Sequence, residues 1–437
     1  MNDMHDMHEI DSGYPLSPEQ QVALDTGRPA PQLRISLNGA LDEQRLHQAL
    51  LSLVARHESL RLALRPSPLY RGLRQQLMEA DLDWQVLDLR TAADSLEARL
   101  AELRAQPFAL DSGRLLRAVL VRLDERAWHL ALSLAPSAGD RLSLEILFAE
   151  LPQVYDQPYA EREEVFQYSQ FIAWRAELAA DPEAETGRAY WADLGLEQLP
   201  ALHLGYRRQA QADSNQGCLP HALPATLSAE LERLAEAQQQ PLPTLLQAAW
   251  WALLARIGGQ TAFAGGWQHD CRRDYEALAG GVGVFDKVLP LPLRLDPAEP
   301  FCQWLQRLAL LLEAHVGAQE YWPLAEPPQQ AHLSVGFALA GQPGERQAAG
   351  LSWRALQLPG ADPRFELALQ VQLTDSGVTL ALHHDGARYA LEDAQCLLEQ
   401  YLCLLEQLPT RFDAPLAELA LSPAAHRPRQ LALCGPT

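Results

Sequence analysis

Apolar residues recur along this chain at two spacings, and the two spacings alternate. Gln32 to Leu37 alternates apolar and polar positions, which predicts a strand with one buried face. Asp42 to Arg56 then places Leu46, Leu50, Leu53 and Val54 at helical spacing, with Leu41-Asp42 as its start signal. A short strand over Trp84 to Leu87 precedes a helix over Ala92 to Gln106, which Pro107 closes. Leu115 to Leu123 and Ala127 to Leu134 read as paired strands across an Asp124-Glu125-Arg126 turn. Helices over Leu142 to Tyr155 and Tyr168 to Ala180 complete the first half. Pro182, Gly187 and a polar run from Gly205 to Gly217 mark a boundary. The second half repeats the alternation. Ser228 to Gln238, Thr244 to Arg256, Phe301 to Gly317 and Leu391 to Leu408 are helical in pattern. Thr261 to Trp267, Val284 to Leu295, Leu333 to Leu339, Glu366 to Thr374 and Val378 to His384 are extended. This mixture predicts an α/β chain of two sandwiches, each a sheet with helices packed on it.

Composition narrows the function classes. The 437 residues are 48% hydrophobic and 21% charged, enough to bury a sizeable core in two or three units. A net charge of −21 argues against nucleic acid or an anionic membrane as partner, since phosphate contacts need clustered Lys and Arg. The six cysteines form no C-x-x-C pair and no zinc spacing, which fits a reducing cytosol. The N-terminus has neither the basic nor the apolar region of a signal peptide, and residues 1–12 read as a disordered tail in which His5 and His8 are inert. The most apolar stretch, Leu242 to Ile257, is interrupted by Gln247 and Arg256 and is too short to span a bilayer. It reads as a buried helix in a cytoplasmic protein.

Scans for phosphate loops, dinucleotide fingerprints, nucleophile elbows and zinc-protease helices find nothing. Gly280-Gly281-Val282-Gly283 reads as a turn or a close backbone approach, and His383-His384-Asp385-Gly386 as the end of a strand.

Several segments, taken in order, carry a family resemblance. Tyr14-Pro15-Leu16-Ser17-Pro18-Glu19-Gln20, Arg56-His57-Glu58-Ser59-Leu60-Arg61 and Pro107-Phe108 through Leu115-Leu116-Arg117 come first. Tyr168 with Trp174, then Tyr190-Trp191, and Val282-Gly283-Val284-Phe285-Asp286-Lys287-Val288-Leu289-Pro290 follow. In this order and spacing the chain resembles the condensation domains of nonribosomal peptide synthetases. The segment Val282 to Pro290 resembles the family's G-x-F-x-N-T-L-P motif, with Asp286 and Lys287 replacing Asn and Thr. The resemblance implies two chloramphenicol-acetyltransferase-like lobes in a V-shaped pseudo-dimer with a tunnel between them. Residues 13–180 would form the N-terminal lobe and 181–425 the C-terminal lobe. Residues 426–437 resemble the linker into a downstream adenylation domain, as though the piece were the first domain of a larger synthetase. The family joins an amine to a thioester, both delivered on phosphopantetheine arms of carrier proteins, and the domain itself binds no cofactor and no metal.

The family's central motif, H-H-x-x-x-D-G, falls here on Ala135-Pro136-Ser137-Ala138-Gly139-Asp140-Arg141. Ala135 and Pro136 stand in place of both histidines, and Arg141 in place of the glycine. The attacking amine must lose a proton, and a positioned imidazole is typically worth about 10²–10⁴ in rate. Neither Ala135 nor Pro136 offers a side-chain nitrogen. Asp140 is implied to form a structural salt bridge with Arg273. Ser137, Ser143 and Trp267 are candidates to line the tunnel. His129, His269 and His332 read as surface or satisfied core histidines, and Gln319-Glu320 resembles an H-Q-D segment without its histidine. Three readings stand open: a scaffold packed against the adenylation domain and inactive in ordinary condensation, an acyltransferase of histidine-free mechanism, and a recruitment module for a tailoring enzyme.

Overall fold

The computed structural model describes residues 13–422, apart from 68–71, 91–95, 183, 210–215, 324–332, 342–343, 358–359 and 375–376. The tail with His5 and His8, His332, and the linker 426–437 lie outside the described residues.

The first half begins with helix α1 (Pro18–Asp25), strand β1 (Gln32–Asn38) and helix α2 (Glu43–Arg56). A hairpin of β2 (Leu62–Pro66) and β3 (Leu73–Leu77) follows, then β4 (Asp83–Asp88), α3 (Leu96–Ala105), β5 (Leu116–Arg122) and β6 (Ala127–Leu134). Helices α4 (Arg141–Asp156), α5 (Tyr168–Ala180) and α6 (Ala184–Asp193) lead into the second half. That half runs β7 (Gln216–Ala222), α7 (Ala225–Ala237), α8 (Leu242–Gly258), β8 (Ala262–Asp270), β9 (Asp286–Arg294), α9 (Phe301–Ala318) and β10 (Val335–Ala340). It closes with β11 (Arg346–Ala348), β12 (Leu351–Gln357), β13 (Leu367–Thr374), β14 (Gly377–Asp385) and α10 (Leu391–Arg411).

Two six-stranded sheets result, in the orders β11-β12-β1-β6-β5-β4 and β7-β14-β13-β10-β8-β9. Period-two patterning places Leu33, Ile35 and Leu37 of β1 fully inside the first core. There they meet Leu46, Leu50 and Leu53 of α2 and Leu147 and Phe148 of α4. The second core is larger and centres on α8, whose Trp250 and Trp251 are fully buried.

The first sheet corrects the expected domain boundary. Strands β11 and β12 belong by sequence to the span 181–425, yet they complete the N-terminal sheet, with Leu37 opposite Trp353. Their apolar residues fill a gap the first half leaves: Leu351 and Trp353 are fully buried in the first core. The two lobes therefore share one strand pair, and 180/181 is not a clean division.

The lobes also meet in an aromatic joint. Tyr168 and Phe171 of α5 pack on Phe285, at ring-centroid distances of 5.2 and 4.8 Å. Tyr168 donates to the Val284 carbonyl at 2.9 Å, and its ring lies where a Cβ on Gly283 would have to sit. Glycine is required there by close approach.

His315 of α9 is buried between the Tyr190 hydroxyl at Nδ1 (2.7 Å) and the Pro290 carbonyl at Nε2 (2.8 Å). Burial pushes its pKa down to about 4. An unfolded histidine, near 6.5, takes up a proton that the folded one refuses. Stability is therefore complete above about pH 6.5 and falls as the pH drops towards 4, by about 3 kcal/mol for this group. Unfolding curves at stepped pH are expected to lose about one proton of slope in that window in His315→Gln. An unchanged slope would contradict the assignment.

Candidate functional site

The motif loop begins where β6 ends. The Ala135 amide donates to the Leu115 carbonyl at 2.8 Å, and Ala138 donates back to Ala135 at 2.9 Å. Ala135 is fully buried in a small apolar cluster with Leu115 and Ala138. Gln20, from the opening motif, donates from Nε2 to the Ser137 carbonyl at 2.8 Å. Ala135 and Pro136 bring no titratable group to the loop.

Asp140 caps α4. Its Oδ1 accepts from the Ser143 amide at 2.9 Å and the Ser143 hydroxyl at 2.8 Å, and its Oδ2 from the amides of Phe285 and Asp286 at 2.9 and 3.1 Å. A guanidinium completes the set, but it belongs to Arg272 and not to Arg273. Arg272 Nη2 lies 2.5 Å from Asp140 and 2.7 Å from Asp270. The reason is local. Cys271–Arg273 forms a 3₁₀ turn capped by Asp270, which turns Arg272 inward to the joint. Arg273 donates to the Leu339 carbonyl at 3.2 Å and is exposed. Although burial works the other way, the Asp140 and Asp270 charges hold the Arg272 guanidinium well above its ordinary pKa.

Two tunnel-lining candidates fall away. Ser143 is fully buried, and its hydroxyl is committed to Asp140 and to both backbone groups of Gly283. Ser137 is also buried, under Gln20. Trp267 does line a cavity of about 680 Å³ at the junction of the lobes. The first lobe contributes Arg141 and Leu142 to that cavity, and the rest of its lining comes from the second lobe. Pro136 is not part of the lining.

Arg141 occupies the position of the motif glycine as a buried ion. Its guanidinium pairs with Glu145 at 2.6 Å, one turn along α4, and donates to the Gly341 carbonyl of the second lobe at 3.3 Å. Burial pushes the Arg141 guanidinium down and the Glu145 carboxyl up.

His129 stands on the strand face it shares with Ala131, which packs against Leu100 and Leu103 of α3. His383 hydrogen-bonds Gln370 at 2.9 Å. His269 lines the cavity. Its Nε2 lies 2.6 Å from Asp274, which also accepts from Gln319 Nε2 at 2.9 Å. Gln319 comes from the segment resembling H-Q-D.

The two departures in the G-x-F-x-N-T-L-P segment are both neutralised, a feature that sequence reasoning missed. Asp286 pairs with Arg28 at 2.5 Å. Burial alone would raise its pKa, but the charge and hydrogen bonds of Arg28 outweigh that and hold it at about 2. Lys287, fully buried, lies 2.9 Å from Glu320 and 3.7 Å from Glu19. Arg175 binds the same two carboxylates, at 2.7 and 3.2 Å. The extra charges were legible in the sequence, but their partners come from α1 (Glu19), the loop after it (Arg28) and the turn after α9 (Glu320).

The two-sheet architecture, the interlobe aspartate and the ordered landmarks define a class, and comparison with known proteins agrees. A model of the condensation-domain family matches residues 30–431. Bacitracin synthase 1 of Bacillus licheniformis is 23% identical over 413 residues, which cover 91% of this chain and 8% of the synthase. Among solved structures, the condensation domain from the Monacolin K polyketide synthase MokA has a TM-score of 0.79 at 18% identity, covering 92% of this chain and 99% of that one. The X-domain in its complex with OxyB from teicoplanin biosynthesis has a TM-score of 0.76 at 22% identity, covering 94% and 96%. The chain belongs to the condensation-domain family, with its chloramphenicol-acetyltransferase-like fold, and spans less than a tenth of the synthase it matches.

Proposed function

We propose that this domain does not form peptide bonds by motif-histidine chemistry, and that it serves a nonribosomal peptide synthetase as a folded platform for the adjoining adenylation domain. One observation carries the reading: the loop that should present two imidazoles presents a fully buried Ala135 and a Pro136 outside the cavity lining. Asp140 cannot take over. Both of its oxygens are occupied, Oδ1 by the Ser143 amide and Arg272 and Oδ2 by the amides of Phe285 and Asp286, and it is buried at the joint. The Arg141–Glu145 pair reinforces the same joint by reaching Gly341. The cavity beyond Arg141 supports a second reading, acyl transfer by positioning alone, which can supply much of a barrier.

One experiment separates them. The domain is mixed with carrier proteins bearing loaded phosphopantetheine arms, and amide product is measured by mass spectrometry. No product above the uncatalysed rate is expected from the wild type, and turnover would sink the inactive reading. Pro136→His is the informative restoration. Ala135→His forces an imidazole into a filled apolar cluster and is expected to cost about 1–3 kcal/mol of stability. The platform role fails if deletion of this domain from its synthetase leaves adenylation and solubility unchanged.

A further inference from the structure

The two six-stranded sheets end in four edge strands, and three of these are blunted. Strand β11 is three residues long, β7 carries Pro220, and β9 carries Pro290 and Pro292. Short edges and prolines keep an open strand from pairing with another chain. Strand β4 has neither device. It runs Asp83-Trp84-Gln85-Val86-Leu87-Asp88, without proline, lysine or bulge, in unbroken register with β5. The Leu89 amide donates to the Arg122 carbonyl at the end of β5 at 2.9 Å, so by alternation Gln85 and Leu87 also bond towards β5. The backbone groups of Trp84, Val86 and Asp88 therefore point out of the sheet, and they have no partner among the described residues. Apolar surface flanks this open edge on both faces. Val86, on the face of Trp84, is 43% exposed. On the opposite face Leu87 and Leu89, with Ala98 of α3, line a groove of about 260 Å³.

We infer that β4 pairs with β4 of a second copy of this chain, antiparallel, about a two-fold axis through Val86. The strand is self-complementary in that register. Val86 faces Val86 of the second copy, Trp84 faces Asp88, Gln85 faces Leu87 and Asp83 faces Leu89. Each outward backbone group then meets a counterpart, and no like charges stand directly opposite one another. Charge also matches beyond the strand. Arg90 falls opposite Leu82 of the second copy, between its Asp81 and Asp83. Asp81 is exposed, with Arg114 as far as 3.9 Å away, and gives Arg90 a partner across the junction. The pairing does not depend on whether the domain condenses anything, because β4 lies outside both the motif loop and the junction cavity.

The test is sedimentation equilibrium of the whole chain over a range of concentrations, together with amide-resolved hydrogen exchange. A monomer–dimer equilibrium is expected. Exchange should slow at Trp84, Val86 and Asp88 as the concentration rises and stay constant at Gln85 and Leu87. That alternation marks a backbone ladder, and a side-chain contact over the same surface would not produce it. Val86→Lys sets two like charges face to face on the axis and is expected to weaken the dimer at least tenfold. Val86→Thr keeps the β-branched shape and is expected to dimerise. Arg90→Glu leaves the strand untouched and is expected to weaken the dimer about threefold or more. The proposal is overturned if the wild type stays monomeric at every concentration, or if the slowing does not alternate along β4. A dimer as tight as the wild type's in Val86→Lys or Arg90→Glu also overturns it.

Discussion

Arg272→Leu is expected to destabilise the protein by about 3–5 kcal/mol, whereas Arg273→Leu should shift it by less than about 1 kcal/mol. The two arginines are neighbours in sequence and differ in what they leave behind. Without Arg272, Asp140 and Asp270 keep their charges in a buried joint with no cation beside them. Without Arg273, only a 3.2 Å hydrogen bond at the surface is lost. Asp140→Ala should fall near Arg272→Leu, since it also removes the cap of α4 and strands the amides of Phe285 and Asp286. Chemical denaturation of the three variants decides the matter. Equal effects for the two arginines would show that the bridge is not specific to Arg272.

The second large effect concerns Lys287, which stands where the family resemblance implies threonine. Lys287→Met leaves Glu19 and Glu320 with Arg175 alone, and a loss of about 3–5 kcal/mol is expected. Lys287→Met/Glu320→Gln should recover much of that loss, because both members of the closest pair are then neutral. Unfolding measurements on the single and double variants form a cycle with Glu320→Gln. If the two substitutions simply add, the lysine is not held by Glu320.

Most of the fold was legible from periodicity. The expected helix over Tyr168 to Ala180 and the strand over Ala127 to Leu134 match the observed elements, and Asp42 does cap its helix. Local pattern could not foretell where β12 goes. Sheet membership is decided by which core has room for Leu351 and Trp353, and that depends on residues distant in sequence. Helix α1 was missed because its pattern is hardly amphipathic; the Ser17–Gln20 capping box was its available signal. At the site, the loss of both imidazoles was visible in the residues themselves. The choice between Arg272 and Arg273 was not, because a single 3₁₀ turn decides which of two adjacent side chains points inward.

The shared strand pair has a consequence for how the chain is made. On the ribosome, the N-terminal lobe emerges with β1 as a bare edge, the backbone groups that will pair with β12 still without partners. That edge is capped only when Leu351–Gln357 leaves the exit tunnel, after most of the second lobe has been synthesised. A nascent chain stalled before this point exposes an unpaired strand, a template for wrong pairing.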